Sequence, residues 1–148
     1  MAMTASAIAP RFERSEPWPA RKIERRHEFF PSVLVVDDEP LIRWSVGESL
    51  SDLGFAVQTA DDAASALRTV TTSRPFEVVV LDLRLPDMHD LSLLGTLRQL
   101  LPAARLIVMT AYGSGDVMAD ACAIGADVLC KPFEFDELHR LVTRQQEA

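Results

Sequence analysis

Five polar side chains stand where apolar runs of this sequence end. Asp37 and Asp38 follow Val33-Leu34-Val35-Val36, and Asp82 follows Val78-Val79-Val80-Leu81. Thr110 follows Leu106-Ile107-Val108-Met109, and Lys131 follows Val128-Leu129-Cys130. Short apolar runs between helical stretches read as buried parallel strands, and open α/β sheets bind ligands at the carboxyl ends of such strands. Three carboxylates, a hydroxyl and an ammonium gathered in one crevice suit metal-assisted phosphoryl chemistry.

Asp37 and Asp38 precede Glu39 and Pro40, so one of them could simply cap the next helix, with Pro40 in its first turn. A cap needs one acid, and the second is then unexplained. Two carboxylates facing the same crevice as Asp82 repel one another unless a cation sits among them. A few hard oxygen ligands that leave room for water and substrate suit Mg²⁺. Beside a cation, one oxygen of Asp82 can bind metal while the other attacks phosphorus to give an aspartyl phosphate. Lys131 offers a point charge and Thr110 a hydroxyl donor for the transferring oxygens.

Charge supports this division of roles. The three acids carry −3, which Mg²⁺ and Lys131 balance, and a phosphoryl group takes Asp82 from −1 to about −2. At about 4 Å and an effective dielectric near 20, a unit-charge pair is worth roughly 4 kcal/mol before desolvation. That is enough to bias a two-state loop, so phosphorylation here would also be a switch.

The elements that must position these groups are regular from Val33 onward. Strand 33–36 leads to a helix from Pro40 to about Leu53, with Ile42, Val46, Leu50 and Leu53 at helical spacing. Gly54 ends it, and strand 55–59 follows. A helix over 62–72 turns Ala63, Ala66, Leu67 and Val70 inward, with Asp61 or Asp62 as cap. Arg74-Pro75 breaks the chain before strand 77–81. Next come a loop over 83–90, a helix near 91–100, strand 105–109, a helix near 115–124, strand 127–130 and a helix over 134–146. Strands alternating with helices predict a doubly wound five-stranded parallel sheet with helices on both faces, an α/β three-layer sandwich.

The chain has 148 residues, room for one domain with a full core and a tail. Residues 1–32 are rich in Ala, Pro and Arg, show no apolar period, and read as a flexible N-terminal extension. Within them Arg21-Lys22-Ile23-Glu24-Arg25-Arg26 could form a short basic helix. The extension carries six Lys/Arg against four Asp/Glu, whereas 33–148 carries nine against eighteen. Such an acidic body argues against nucleic-acid binding through the folded domain. No stretch has the length of a membrane span or a signal-peptide core, so a cytoplasmic protein without membrane insertion is expected. Cys122 and Cys130 show no metal or redox spacing and read as reduced core thiols. His27, His89 and His139 have no ligand spacing and read as surface residues.

With these residues in view, the chain resembles the receiver domain of two-component response regulators over about 33–146. The resemblance rests on Val35-Val36-Asp37-Asp38-Glu39-Pro40, Val80-Leu81-Asp82-Leu83-Arg84-Leu85-Pro86, Met109-Thr110-Ala111-Tyr112-Gly113 and Lys131-Pro132-Phe133. The third motif most resembles receivers that precede transcriptional activator domains. The resemblance implies a flavodoxin-like sheet in the order 2-1-3-4-5. It also implies Asp82 as phosphoacceptor and Asp38 as direct Mg²⁺ ligand, with Asp37 acting mainly through water. The backbone carbonyl of Arg84 completes the protein ligands, Thr110 is the switch hydroxyl, and Lys131 pairs with the phosphoryl group. The Lys131–Pro132 peptide is expected to be cis. Implied partners are a sensor histidine kinase or histidine phosphotransfer protein, and a downstream protein target. Self-phosphotransfer and autodephosphorylation are the only chemistry expected, not turnover of a separate substrate.

Two departures from the family pattern bear on output. Val128 stands three residues before the Lys, where receivers commonly carry a Tyr or Phe that swings inward on activation; valine cannot swing in that way. Tyr112 is a candidate gate in its place. Asp90 stands where the family often has Gly, and tolerates the turn better than most residues. Arg84 and Tyr112, each two residues past a site residue, suggest restricted water access and slow loss of the phosphoryl group. Leu41 and Trp44 fall off the apolar stripe of the first helix; Trp44 either meets a partner helix or covers the extension.

Three alternatives stand beside a single-domain signalling receiver. A phosphorelay intermediate would pass the phosphoryl group onward, and Val128 favours it mildly. A phosphorylation-independent binding module would not need the complete acid, Thr and Lys set. An aspartate-nucleophile hydrolase expects a second acid two residues after Asp82, where Arg84 stands. The end at Ala148, just past the last helix, fits a stand-alone receiver or one excised from a longer regulator.

Overall fold

The computed structural model describes residues 31–88, 91–111 and 115–144. Five strands, β1 (Ser32–Val36), β2 (Ala56–Ala60), β3 (Val78–Asp82), β4 (Arg105–Thr110) and β5 (Ala126–Cys130), form one parallel sheet in the order β2-β1-β3-β4-β5. The alternating helices are α1 (Pro40–Asp52), α2 (Ala63–Thr72), α3 (Ser92–Leu100), α4 (Gly115–Ile124) and α5 (Phe135–Thr143). The alternation of strands and helices predicted this α/β sheet, the family resemblance implied its strand order, and element bounds differ by at most three residues. β1 takes in Ser32, the last residue of the expected extension. Residues 1–30 of that extension, including 21–26 and His27, lie outside the described residues, as do His89, Asp90 and Tyr112.

Period-2 alternation divides the core between the two faces of the sheet. Leu34, Val36, Val79, Leu81, Leu106 and Val108 pack against α2, α3 and α4 through Ala66, Val70, Leu94, Leu97 and Ala121. Val33, Val35, Val78, Val80, Ile107 and Met109 pack against α1 and α5 through Val46, Leu50, Leu138 and Val142. Burial on both faces explains why β1 and β3 read as continuous apolar runs.

α1 ends in a Schellman motif: Gly54 N–H donates to Ser51 O at 2.9 Å and Phe55 N–H to Leu50 O at 3.1 Å, with Gly54 at φ 101°. The Phe55 N–H is thereby committed to the helix end, so β2 begins one residue later than expected. Leu53 itself keeps helical backbone, but as the C-cap residue it stands at the helix end and is exposed rather than part of the buried stripe. Neither Asp37 nor Asp38 caps α1: Glu39 is its N-cap residue, without a side-chain bond, and Pro40 opens the helix. Asp62, not Asp61, caps α2 through the Ser65 N–H at 2.8 Å.

Both cysteines are exposed and do not belong to the core. His139 is more than a surface residue. Its Nε2 lies 3.0 Å from Ser49 Oγ, joining α5 to α1, and its ring stacks on Phe135.

Arg98 carries no mark in the sequence, yet its guanidinium gathers three chain segments. It donates to the carbonyls of Leu101, Pro102 and Ala104 after α3, and to those of Ile124 and Gly125 at the α4–β5 turn. Hydrogen bonds from a charged donor are among the stronger ones, and truncation leaves several carbonyls unpaired. Arg98→Ala is therefore expected to cost about 2–3 kcal/mol in urea denaturation, while Arg98→Lys recovers only part of it.

Candidate functional site

The sheet register sets the strand ends side by side. Val36 pairs with Leu81, Asp82 with Met109, and Thr110 with Cys130. Parallel bonding continues one residue past two strands: Asp37 N–H donates to Ala60 O at 3.1 Å, and Lys131 N–H to Thr110 O at 2.7 Å. The alternation therefore still holds at Asp37 and Lys131. Asp37 follows the parity of Val33 and Val35, Asp82 that of Val78 and Val80, and Lys131 that of Leu129. All three belong to the α1/α5 side of the sheet, whereas Thr110 follows Leu106 and Val108 on the other. The Lys131–Pro132 peptide is cis, as expected.

Lys131 Nζ lies 3.3 Å from Asp37 Oδ2 and 3.1 Å from Asp82 Oδ2. Asp37 is fully buried, and Asp82 and Thr110 nearly so, while Asp38 is exposed. The second oxygen of each buried acid is held by backbone. Glu39 N–H donates to Asp37 Oδ1 at 2.9 Å, and Arg84 N–H to Asp82 Oδ1 at 3.1 Å. Both carboxylate planes are thus fixed by the chain immediately after their strands.

Burial pushes the Asp37 carboxyl above its ordinary range; the Glu39 N–H and Lys131 oppose that shift, and Asp82 adds to it. Burial also works against the Lys131 ammonium, but its hydrogen bond to Asp82 and the charges of Asp37 and Asp82 outweigh this and hold its pKa up. Ligand oxygens of Asp37, Asp38 and Asp82 lie within 4.8 Å of one another. Three acids against one ammonium leave excess negative charge, and the donors are all hard oxygen. That set fits a hard divalent cation and can hold a metal ion.

The structure brings Asp37, Asp82 and Lys131 into direct contact, with Asp38 beside them and Thr110 at the adjoining strand end. It adds a residue the sequence did not suggest. Arg43, one turn into α1, donates from Nη1 to the Asp37 carbonyl at 2.8 Å and so fixes the peptide between the two adjacent acids. Its place one turn past Pro40, on the helix that starts at the site, was the available signal. Val128 is half-buried and packs against the core on the α2–α4 side. Leu41 and Trp44 are the most exposed large apolar side chains of α1, with Trp44 at 63%.

A family model described as the response regulator receiver domain matches residues 33–143. The DNA-binding transcriptional regulator NtrC of Escherichia coli is 37% identical over 113 residues, covering 76% of this chain and 24% of that protein. The probable transcriptional regulatory protein TcrX of Mycobacterium tuberculosis is 40% identical over 108 residues, covering 72% of this chain and 46% of that one. The chain thus spans less than half the length of these curated relatives. The chemotaxis protein CheY4 of Vibrio cholerae superposes with a TM-score of 0.71 at 30% identity, covering 78% of this chain and 98% of that one.

Proposed function

This chain belongs to the response regulator receiver domain family, and from that premise we propose that Asp82 accepts a phosphoryl group from the phosphohistidine of a sensor kinase or phosphotransfer protein. The observation that carries this reading is the Lys131 ammonium, 3.1 Å from Asp82 and 3.3 Å from the buried Asp37. One oxygen of Asp82 attacks phosphorus as the P–N bond to the donor imidazole breaks, giving an acyl phosphate. Lys131 and the Arg84 N–H hold the carboxylate in one orientation beforehand, which removes the entropy cost of aligning it during transfer. Asp37, Asp38, Asp82 and the Arg84 carbonyl would hold Mg²⁺, which when bound supplies positive charge against the transferring oxygens. After transfer, Lys131 and the Thr110 hydroxyl meet the new phosphoryl oxygens. The added charge then biases the surrounding loops and changes contacts with a downstream protein. Leu41 and Trp44, in the first turns of the helix that leaves the site, give a docking donor its apolar contact. Residues 33–146 form the receiver and 1–32 its extension, acting in the cytoplasm without nucleic-acid contact through the receiver.

Incubation with acetyl phosphate and Mg²⁺, followed by intact mass, is expected to show one added phosphoryl group that is absent when the metal is chelated. A wild-type chain unmodified in Mg²⁺ would instead favour a phosphorylation-independent binding module. One observation favours a second reading. Val128, packed into the core side of β5, leaves no aromatic side chain at the usual switch position, and a phosphorelay intermediate needs none. Transfer from the phosphorylated chain to a downstream histidine protein distinguishes the two.

A further inference from the structure

We propose that Asp87 is a positioning residue for the phosphoacceptor site, acting through the β3–α3 loop that it ties to the start of α2; this rests on the phosphoacceptor reading of Asp82. The loop leaves β3 with Leu83 N–H donating to Met109 O at 3.2 Å, and buries Leu83 and Leu85 in the core. Leu85 and Met88 then exchange two backbone hydrogen bonds, of 3.0 and 3.2 Å, closing a tight turn with Pro86 and Asp87 at its tip. From that tip the Asp87 carboxylate spreads across the first turn of a distant helix. Oδ1 accepts from Ala63 N–H at 2.8 Å and Oδ2 from Ala64 N–H at 3.0 Å.

The remaining first-turn donor of α2, Ser65 N–H, is taken by the helix's own cap residue Asp62. Local sequence therefore supplies one cap and the loop supplies the other two acceptors. Asp87 is exposed, so nothing in core packing requires an acid there. What the tether fixes lies three to five residues back, where Arg84 N–H donates to Asp82 Oδ1 at 3.1 Å and orients the carboxylate. The segment from Asp82 to Asp87 is thus held at both ends, by β3 at one and α2 at the other. With the far end released, Arg84 is held less firmly, by the turn and the buried leucines. Both its N–H, on the reacting carboxylate, and its carbonyl then lose their fixed direction.

The test compares the wild-type chain with Asp87→Ala, Asp87→Asn and Asp62→Ala. Mg²⁺ affinity is read by calorimetric titration, phosphoryl uptake from acetyl phosphate by intact mass, and stability by thermal unfolding. Asp87→Ala is expected to bind Mg²⁺ about tenfold more weakly and to take up phosphoryl correspondingly more slowly at fixed Mg²⁺. Asp87→Asn keeps one of the two acceptors and falls between. Asp62→Ala removes a cap of the same helix without touching the loop, so it unfolds at lower temperature with unchanged affinity and uptake. If Asp87→Ala and Asp62→Ala lose stability alike and both keep wild-type affinity and uptake, Asp87 is only a helix cap and the proposal is overturned. A wild type that binds Mg²⁺ but takes up no phosphoryl group overturns the reading of Asp82, and the Mg²⁺ titrations then still decide the role of Asp87.

Discussion

Asp82→Asn is expected to take up no phosphoryl group from acetyl phosphate in Mg²⁺, while remaining folded. The amide is neutral and offers no carboxylate oxygen to attack phosphorus. Its oxygen can still accept the Arg84 N–H that now reaches Asp82 Oδ1 at 3.1 Å, so the loop after β3 keeps its anchor. The substitution breaks the 3.1 Å ion pair with Lys131, whose ammonium retains Asp37 at 3.3 Å. The cost of that broken pair is offset by removal of one of three crowded acids. Urea denaturation in chelator should therefore place the variant within about 1 kcal/mol of wild type. Mg²⁺ binding should weaken, because the donor set is reduced by one carboxylate. Uptake by Asp82→Asn at the wild-type level would move the acceptor to another residue.

The grouping of the candidate site was legible because its residues share one kind of position: polar groups at the ends of short apolar runs fit strand ends in a sheet buried on both faces. The same periodicity carried the fold, since Val33–Val36 and Val78–Leu81 admit no exposed face. What escaped was held by contacts distant in sequence. Asp87 meets Ala63 and Ala64, 24 and 23 residues away, and a loop acid after proline gives no local sign of such a partner. Arg98 meets carbonyls at the α4–β5 turn, again far along the chain. The misplaced residues have local causes of another kind. Leu53 fits the helical stripe and keeps helical backbone, but as the C-cap residue it stands past the buried stripe and is exposed. Cys122 and Cys130 lie inside regular elements, yet membership of an element does not decide which face a side chain takes.

Val128 directs attention to how a charge change in the crevice reaches the surface. The loop that carries Lys131 continues through Phe133, whose ring meets Phe135 edge-on with centroids 6.4 Å apart. Phe135 in turn stacks on His139, and His139 meets Ser49 of α1. Packed side chains thus join the residues just after Lys131 to the α1–α5 contact without involving position 128.

Lys131→Met separates the roles of charge and bulk at the centre of the site. Methionine keeps an unbranched apolar stem but leaves Asp37, fully buried, and Asp82, with a side chain 10% exposed, facing each other without a cation. Breaking a buried pair from one side leaves an uncompensated charge, so a loss of about 2–4 kcal/mol in chelator is expected. The pH dependence identifies the cause. The folded-state pKa of Lys131 is raised above its ordinary 10.5. Its contribution is therefore complete below pH 10.5 and is lost as pH rises through the raised value. Wild type should show this alkaline loss and the variant should lack it. Asp37 acts at the acid end, where burial raises its folded-state pKa above 3.8. The folded chain then holds that proton more tightly than the unfolded chain, so stability favoured below 3.8 is lost as pH rises through the raised value. Lys131 restrains that shift, so the variant should lose more on this limb than wild type. Saturating Mg²⁺ should narrow the gap by binding the folded state, yet phosphoryl uptake should stay about a hundredfold slow for want of the ammonium on the transferring oxygens. Denaturation midpoints across the pH range, with chelator and with Mg²⁺, check each part. Equal stability of variant and wild type throughout would show that Lys131 does not hold the acid cluster together.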